Sequence, residues 1–130
     1  MDVLVPIDGS DGSFRALAFA AEFARKFDAT LHVVHFSDEA TSATDEILSR
    51  ARDVLESADI ESEPKLSTDM RLEFRPAERV GENVLELVTE NGYEHVIMSH
   101  HGSGTVDRAI LGSAAEKIVR SEAVPVTIVP

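Results

Sequence analysis

The residues best suited to chemistry lie in one stretch of the chain, from Met98 to Arg120. Gly102 and Gly104 follow an apolar segment, and Gly112 stands directly before Ser113 and a helical pattern. Glycine lets a ligand approach the backbone closely, and a helix N-terminus presents unpaired N–H groups and the positive end of its dipole. These features predict an anion site that needs no lysine. A surface loop with turn glycines is the alternative interpretation.

Metal binding and catalysis are less well supported by the same residues. His100 and His101 are adjacent, and neighbours on an extended chain point to opposite faces, so they form a poor chelating pair. A triad of Asp8, His101 and Ser113 lacks the nucleophile-elbow pattern, and Ser113 is better explained as a helix cap. No lysine follows a glycine-rich run at Walker A spacing. The chain has no cysteine, which excludes disulfides and thiol catalysis.

The elements that must position these residues alternate between strand and helix. Short apolar runs predict five strands, at Val3–Ile7, Thr30–Phe36, Met70–Phe74, Glu94–Ser99 and Val124–Val129. Apolar residues at helical spacing predict four helices, around Phe14–Ala24, Ile47–Ala58, Val80–Val88 and Ala114–Val119. This alternation predicts an α/β fold, with an open, doubly wound parallel sheet and helices on both faces.

The boundaries of these elements rest on caps and turns. Ser13 is the expected N-cap of the first helix, and Asn91-Gly92 is the expected end of the third. The polar segment from Ser37 to Thr44 is expected to be a solvated loop. In an open parallel sheet, ligands bind beyond the carboxyl ends of the strands. The residues expected there are Pro6, Ile7, Asp8, His35, Phe36 and the run from Met98 to Gly104.

The glycine pattern resembles the phosphate-binding signature of the universal stress protein family. In that family a glycine is followed by two residues, a second glycine, nine residues, and then glycine with serine or threonine. Gly102, the nine residues to Leu111, and Gly112-Ser113 match this register, whereas Ser99 stands at the first glycine. The resemblance extends to the segments Val5–Ser10, Leu31–His35, Ala115–Ile118 and Val124–Val126.

The resemblance implies a strand order of 3-2-1-4-5 and an adenine nucleotide: ATP, ADP or AMP, with Mg²⁺ carried on the phosphates. It implies that the adenine base lies near Phe36 and that Asp8 lies close to the ribose and phosphates. The phosphates would be held by Gly102, Ser103, Gly112, Ser113 and Ala114. The expected binding residues are therefore Pro6, Ile7, Asp8, Phe36, Met98, Ser99, His101, Gly102, Ser103, Gly112, Ser113 and Ala114.

Three functions follow from this resemblance. The first is a regulatory protein that binds an adenine nucleotide. Since no general base can be identified, a dedicated enzyme is not expected, and slow ATP hydrolysis or autophosphorylation stays open. The second is a nucleotide-independent dimeric stress or interaction protein, because a side chain at Ser99 would crowd the nucleotide. The third is a flavin-associated domain like that of electron-transfer flavoproteins, which share the architecture.

Composition limits the partners and the setting of the protein. Its 130 residues fit one domain, residues 1–130. The formal net charge of −12 opposes binding to nucleic acid or to anionic membranes. No apolar run is long enough to span a bilayer, and the first residues lack a signal-peptide layout, so a cytoplasmic location is expected. The 24 acidic residues outnumber the 12 basic ones, of which only three are lysines. This balance favours a protein from a salt-loving source over an ordinary acidic bacterial protein.

Charge and hydrophobicity also differ along the chain. From His95 onward, three acids are balanced by three bases, so an anion meets the least repulsion in this part. The last strand, Val124 to Val129, is almost continuously apolar and lies at a sheet edge in the family arrangement. An exposed apolar edge strand promotes association, so a homodimer through this strand is expected.

Overall fold

The chain folds into a parallel sheet with helices on both faces. The computed structural model describes residues 1–37, 39–68, 76–100 and 111–130. Within these residues the strands are β1 (Asp2–Ile7), β2 (Thr30–Phe36), β3 (Lys65–Ser67), β4 (His95–Ser99) and β5 (Val126–Val129). The helices are α1 (Asp11–Phe27), α2 (Ser42–Ser57), α3 (Pro76–Asn91) and α4 (Ser113–Ser121). The strand order is β3-β2-β1-β4-β5, which confirms the predicted class and order.

Alternation along the central strands divides the core into two layers. One layer joins β1, β2 and β4 to α1 and α2, through Val3, Val5, Ile7, Phe14, Leu17, Leu31, Val33, Ala51, Leu55 and Ile97. The other joins the same strands to α3 and α4, through Leu4, Val34, Phe36, Val84, Val88, Val96, Met98, Ala115 and Ile118. Strand residues therefore point to the two faces in turn, as a doubly wound sheet requires.

The first helix begins earlier than the sequence analysis predicted. Its N-cap is Ser10, and not Ser13, because the Oγ of Ser10 accepts a hydrogen bond from the Ser13 N–H at 3.1 Å. Ser13 occupies the third helical position, and its own Oγ–H donates to the Ser10 carbonyl at 2.8 Å. Two serines three residues apart satisfy the first turn together.

The second helix also begins earlier, at Ser42. Thr41 is its N-cap and forms a reciprocal pair with Thr44, in which each side-chain oxygen accepts from the other residue's N–H. The last three residues of the predicted loop Ser37–Thr44 are therefore helical. A capping box satisfies the first-turn N–H groups without any apolar residue, so it is invisible to a search for hydrophobic spacing.

The third strand of the sheet is Lys65–Ser67, which pairs with the end of β2. No apolar run in the sequence predicts a strand at these residues. The predicted strand Met70–Phe74 lies outside the described residues. The end of α3 is as predicted, since Gly92 follows Asn91 with φ +68°. Among the helices described, none combines the length and apolar character that crossing a membrane requires.

Candidate functional site

The carboxyl ends of β1, β2 and β4 meet at one edge of the sheet. Strand β1 lies between β2 and β4 in the sheet, so the connection after β1 leads to one side of it and the connection after β3 crosses to the other. Register places Pro6 beside Val34 and Ile7 beside His35. Such a topological switch point forms a crevice where ligands bind in open α/β sheets. The structure therefore brings the strand-end residues of the predicted site together: Pro6, Ile7, Asp8, Phe36, Met98 and Ser99.

Asp8 leaves β1 in a tight turn that also starts α1. Its Oδ1 accepts hydrogen bonds from the Ser10 N–H at 2.9 Å and the Ser10 Oγ–H at 2.5 Å. Gly9 between them has φ +86°, a conformation that side chains disfavour. The Ser10 Oγ is also the cap of α1. The exposed carboxylate of Asp8 is thus fixed in position by the same serine that starts the helix.

His35 ties the ends of β1 and β2 together. Its buried ring places Nδ1 at 2.8 Å from the carbonyl oxygen of Ile7. A carbonyl only accepts hydrogen bonds, so Nδ1 carries the proton and donates. This bond spans neighbouring strands directly before Asp8 and Phe36, and it holds the backbone of both strand ends.

Phe36 and Met98 contribute apolar surface to this edge. Both belong to the core layer beneath α3 and α4, and they are 8% and 6% exposed. Ser99, the residue at the family's first glycine position, is also buried and pairs in register with Val129. The ends of β2 and β4 thus place mainly apolar side chains and one buried serine beneath this edge.

The N-terminus of α4 is attached directly to the end of β4. The N–H of Gly112 donates to the carbonyl of His100 at 2.5 Å. Gly112 is the N-cap, and no side chain caps the helix in the described residues. Ser113 is the first helical residue and Ala114 the second, so the expectation that Ser113 caps the helix is wrong. A glycine cap leaves the first-turn N–H groups without a side-chain oxygen, as an anion site requires.

His101, Gly102 and Ser103 lie outside the described residues. In the described ranges, no group of three or more histidine, aspartate or glutamate side chains is arranged to hold a metal ion.

One buried polar residue of α3 was not expected from the sequence. Asn83 of α3 is 3% exposed, and its Nδ2 and Oδ1 have no hydrogen-bond partner in the part of the chain that the structure describes. Its neighbours Val80 and Val84 pack in the layer that holds Phe36 and Met98. Helical spacing marks Val80, Val84 and Val88 as inward-facing, but it gives no sign that an asparagine lies inward too.

Two groups with shifted pKa values lie at the opposite, amino-terminal edge of the sheet. Partial burial lowers the pKa of His95, whose Nε2 lies 2.7 Å from the Oγ1 of Thr127. Burial, and then the charge of Asp2, raises the pKa of Tyr93. Tyr93 precedes β4 and His95 is its first residue, so neither group lies at the carboxyl edge.

Comparison with known proteins identifies the family. The family model described as "Universal stress protein family" matches residues 1–130. The chain belongs to the universal stress protein family. A universal stress protein of Methanocaldococcus jannaschii is 26% identical over 141 residues, which cover 98% of this chain and 80% of that protein.

Solved structures of universal stress proteins share the fold. One, described as in complex with cAMP, is 26% identical, covers 99% of this chain and 95% of that chain, and has a TM-score of 0.74. Another, from Archaeoglobus fulgidus in complex with dAMP, is 22% identical, covers 100% and 98% of the two chains, and also has a TM-score of 0.74. At that identity the second structure is evidence for the fold alone.

Proposed function

We propose that this universal stress protein is a regulatory protein that binds an adenine nucleotide at the carboxyl edge of its sheet. The observation that carries the proposal is a relative of the same fold and 26% identity that was solved in complex with cAMP. It is supported by an edge that combines the apolar surface of Phe36 and Met98 with the glycine-capped α4.

The proposed roles follow the chemistry of the residues. The base packs near Phe36, and Asp8 lies near the ribose and phosphates. The phosphates bind the N–H groups at the start of α4, with Gly112, Ser113 and Ala114 of the described residues, together with Gly102 and Ser103 earlier in the sequence. ATP with Mg²⁺ is the proposed ligand, in which the cation neutralises phosphate charge and is carried by the phosphates. Binding, and not turnover, is the proposed activity.

Calorimetry tests the proposal directly. ATP, ADP, AMP and cAMP are titrated into the full chain with and without Mg²⁺, at low and high KCl. Heat of binding with at least one of them is expected, and bound nucleotide should raise the melting temperature by mass action. Mass spectrometry of small molecules released from the denatured protein identifies any nucleotide that co-purifies. No heat and no released nucleotide would exclude the proposal.

A second function, as a nucleotide-independent stress or interaction protein, is favoured by Ser99. This side chain replaces the first glycine of the family signature and is buried at the end of β4. If it crowds the nucleotide, Ser99→Gly should bind AMP more tightly, whereas Ser99→Ala, which keeps a Cβ, should gain less. Equal affinities in all three proteins would show that Ser99 is tolerated. Binding by Ser99→Gly alone would support the second function.

We also propose that the protein forms a homodimer through Val124 to Val129. Strand β5 lies at the edge of the sheet, and two helices that contact it, α1 and α4, carry exposed apolar side chains. Phe19 and Phe27 of α1 are 44% and 64% exposed, and Val119 of α4 is 44% exposed. The ring of Phe23, which contacts Phe27, also contacts His95, the hydrogen-bond partner of Thr127. Apolar surface of this kind is typical of an interaction site.

The setting of the protein is proposed from its charge. The length fits a single domain, residues 1–130. Its net charge of −12, with only three lysines, fits the cytoplasm of a salt-loving organism. Salt screens repulsion among these acids, so KCl should raise the melting temperature. A melting temperature that is unchanged between about 0.1 and 1 M KCl, where the Debye length falls from roughly 10 to 3 Å, would contradict this setting.

A further inference from the structure

An unpaired amide lies in the wall of the core layer that ends at the proposed base site. Asn83 is 3% exposed, and neither its Nδ2 nor its Oδ1 has a hydrogen-bond partner among the described residues. Buried polar side chains are nearly always hydrogen-bonded, since leaving one unpaired costs free energy. An amide with both ends unpaired among the described residues is therefore available to a ligand.

The position of Asn83 in α3 connects it to the proposed nucleotide site. Val80 and Val84, three residues before it and one residue after it, pack in the same layer as Phe36 and Met98. The polar residue preceding it is already paired, because Glu82 contacts the Nζ of Lys117 at 2.8 Å. Asn83 thus places a free carboxamide on the stretch of α3 whose valines pack in the layer that includes the residues proposed to contact the base.

The chemistry of a carboxamide selects among possible partners. It offers one acceptor oxygen and an NH₂ donor side by side. Adenine presents the complementary pair, because its exocyclic amino group donates and the adjacent ring nitrogen accepts. We propose that the Asn83 amide reads this edge of adenine and makes the site selective for an adenine base; this inference rests on the proposed function.

Base selectivity is the property that tests the role of Asn83. AMP and purine riboside 5′-monophosphate, which lacks the 6-amino group, are titrated into the full chain by calorimetry. The wild type should prefer AMP by about 5- to 150-fold, the range expected when the buried amide oxygen loses its hydrogen-bond donor. Asn83→Leu, of similar volume, should bind both compounds with nearly equal affinity. The control Thr89→Val, at an exposed position further along α3, should keep the wild-type preference.

Stability separates recognition from a structural role. Removing an unpaired buried amide should leave the melting temperature of nucleotide-free Asn83→Leu equal to that of the wild type or higher. A wild type that binds AMP with the same selectivity as Asn83→Leu would overturn this inference and leave the proposed function intact. A wild type that binds no adenine nucleotide would overturn both.

Nuclear magnetic resonance provides a test that does not depend on the variant folding. Asn83, Phe36 and Met98 are all closed to solvent, so a base that reaches the amide must displace apolar side chains. Saturating AMP should shift the Asn83 side-chain NH₂ signals and the Met98 methyl signal, and purine riboside monophosphate should shift the NH₂ signals less. Asn83 signals that do not move at saturation would overturn the inference.

Discussion

At the scale of single residues, the carboxyl edge depends on a glycine that no other residue replaces without cost. Gly9 has φ +86°, and a Cβ at this position would lie 2.7 Å from the Cδ1 of Ile47 in α2. Gly92 also has a positive φ, but a Cβ there would meet nothing within 4 Å. A comparison of substitutions at the two glycines therefore separates the free-energy cost of backbone strain from the cost of crowding.

We expect Gly9→Ala to be more destabilising than Gly92→Ala. Positive φ alone costs about 1–2 kcal/mol for an alanine, and this is the whole expected effect at Gly92. Crowding against Ile47 adds roughly 1–3 kcal/mol at Gly9. Urea denaturation of each variant measures the two costs. The excess should disappear when Gly9→Ala is made in an Ile47→Ala background, and an excess that persists there would show that Ile47 is not the cause.

His95 gives the fold a pH dependence of known sign. Its pKa is lowered by burial, so between the folded pKa and the ordinary value of 6.5 the unfolded chain binds more protons than the folded chain. The stabilisation is complete above pH 6.5 and is lost as the pH falls below it. Unfolding free energies from pH 8 to pH 5 should therefore fall more steeply for the wild type than for His95→Gln. Parallel curves would assign the acid sensitivity to other groups.

Asn83 and the N-caps of α1 and α2 are single residues that hydrophobic spacing does not predict. Hydrophobic spacing reports which side of a helix is mostly apolar, so a lone inward amide is assigned to the outer side. It also reports the first apolar residue of a helix and not its cap, which is why Ser10 and Thr41 were missed. The cap at Ser10 was recoverable from the sequence, because Ser10 and Ser13 have the spacing of a cap and its third residue.

At the scale of elements, the start of α4 is where the proposed phosphate site and helix stability compete for the same N–H groups. Gly112 has φ −68° and ψ 164°, extended values that any residue adopts, so the backbone does not require glycine there. Aspartate and asparagine are better N-caps than glycine by a few tenths of a kcal/mol. A glycine cap forgoes that stability and leaves the N–H groups to an external anion.

We expect Gly112→Asp to keep or slightly raise the melting temperature and to weaken nucleotide binding by at least about tenfold. Its carboxylate would cap α4 and repel the incoming phosphate. Gly112→Asn is the matched control, because it caps the helix without the charge and should lose less affinity. Calorimetry and thermal unfolding of both variants measure the two effects. Equal affinities for the two variants would place the phosphate away from this helix.

The elements themselves were largely predictable from the sequence, because buried strands and amphipathic helices leave different periods. Strands β1, β2, β4 and β5 and all four described helices were expected, within a few residues at their ends. Strand β3 was not, since Lys65–Ser67 has only three residues and is not fully buried. This short edge strand forms because it can pair with the open edge of β2, and no local sequence pattern predicts it.

At the scale of the whole molecule, the sheet order leaves β5 as an edge strand whose outer backbone is available for pairing. The carbonyls of Pro125 and Val129 accept from the N–H groups of Val96 and His100 in β4. Residues of a strand alternate between its two sides, so Val126 and Ile128 direct their N–H and C=O groups outward. A second copy of β5, related by a two-fold axis, would satisfy these groups and cover the flanking phenylalanines.

Ile128→Pro tests this pairing without breaking the sheet within one chain. Proline is tolerated on an edge strand where its missing N–H faces outward, so pairing with β4 should survive while pairing with a second copy is blocked. Ile128→Ala is the control, because it loses the side chain and keeps the N–H. Light scattering should give twice the 14.1 kDa chain mass for the wild type and Ile128→Ala, and the single-chain mass for Ile128→Pro.

Each chain carries a net charge of −12, so salt should strengthen the dimer by screening repulsion while apolar burial persists. A wild type that dimerises only at high salt would show that charge repulsion sets the balance, and a single-chain mass at every salt concentration would rule the dimer out.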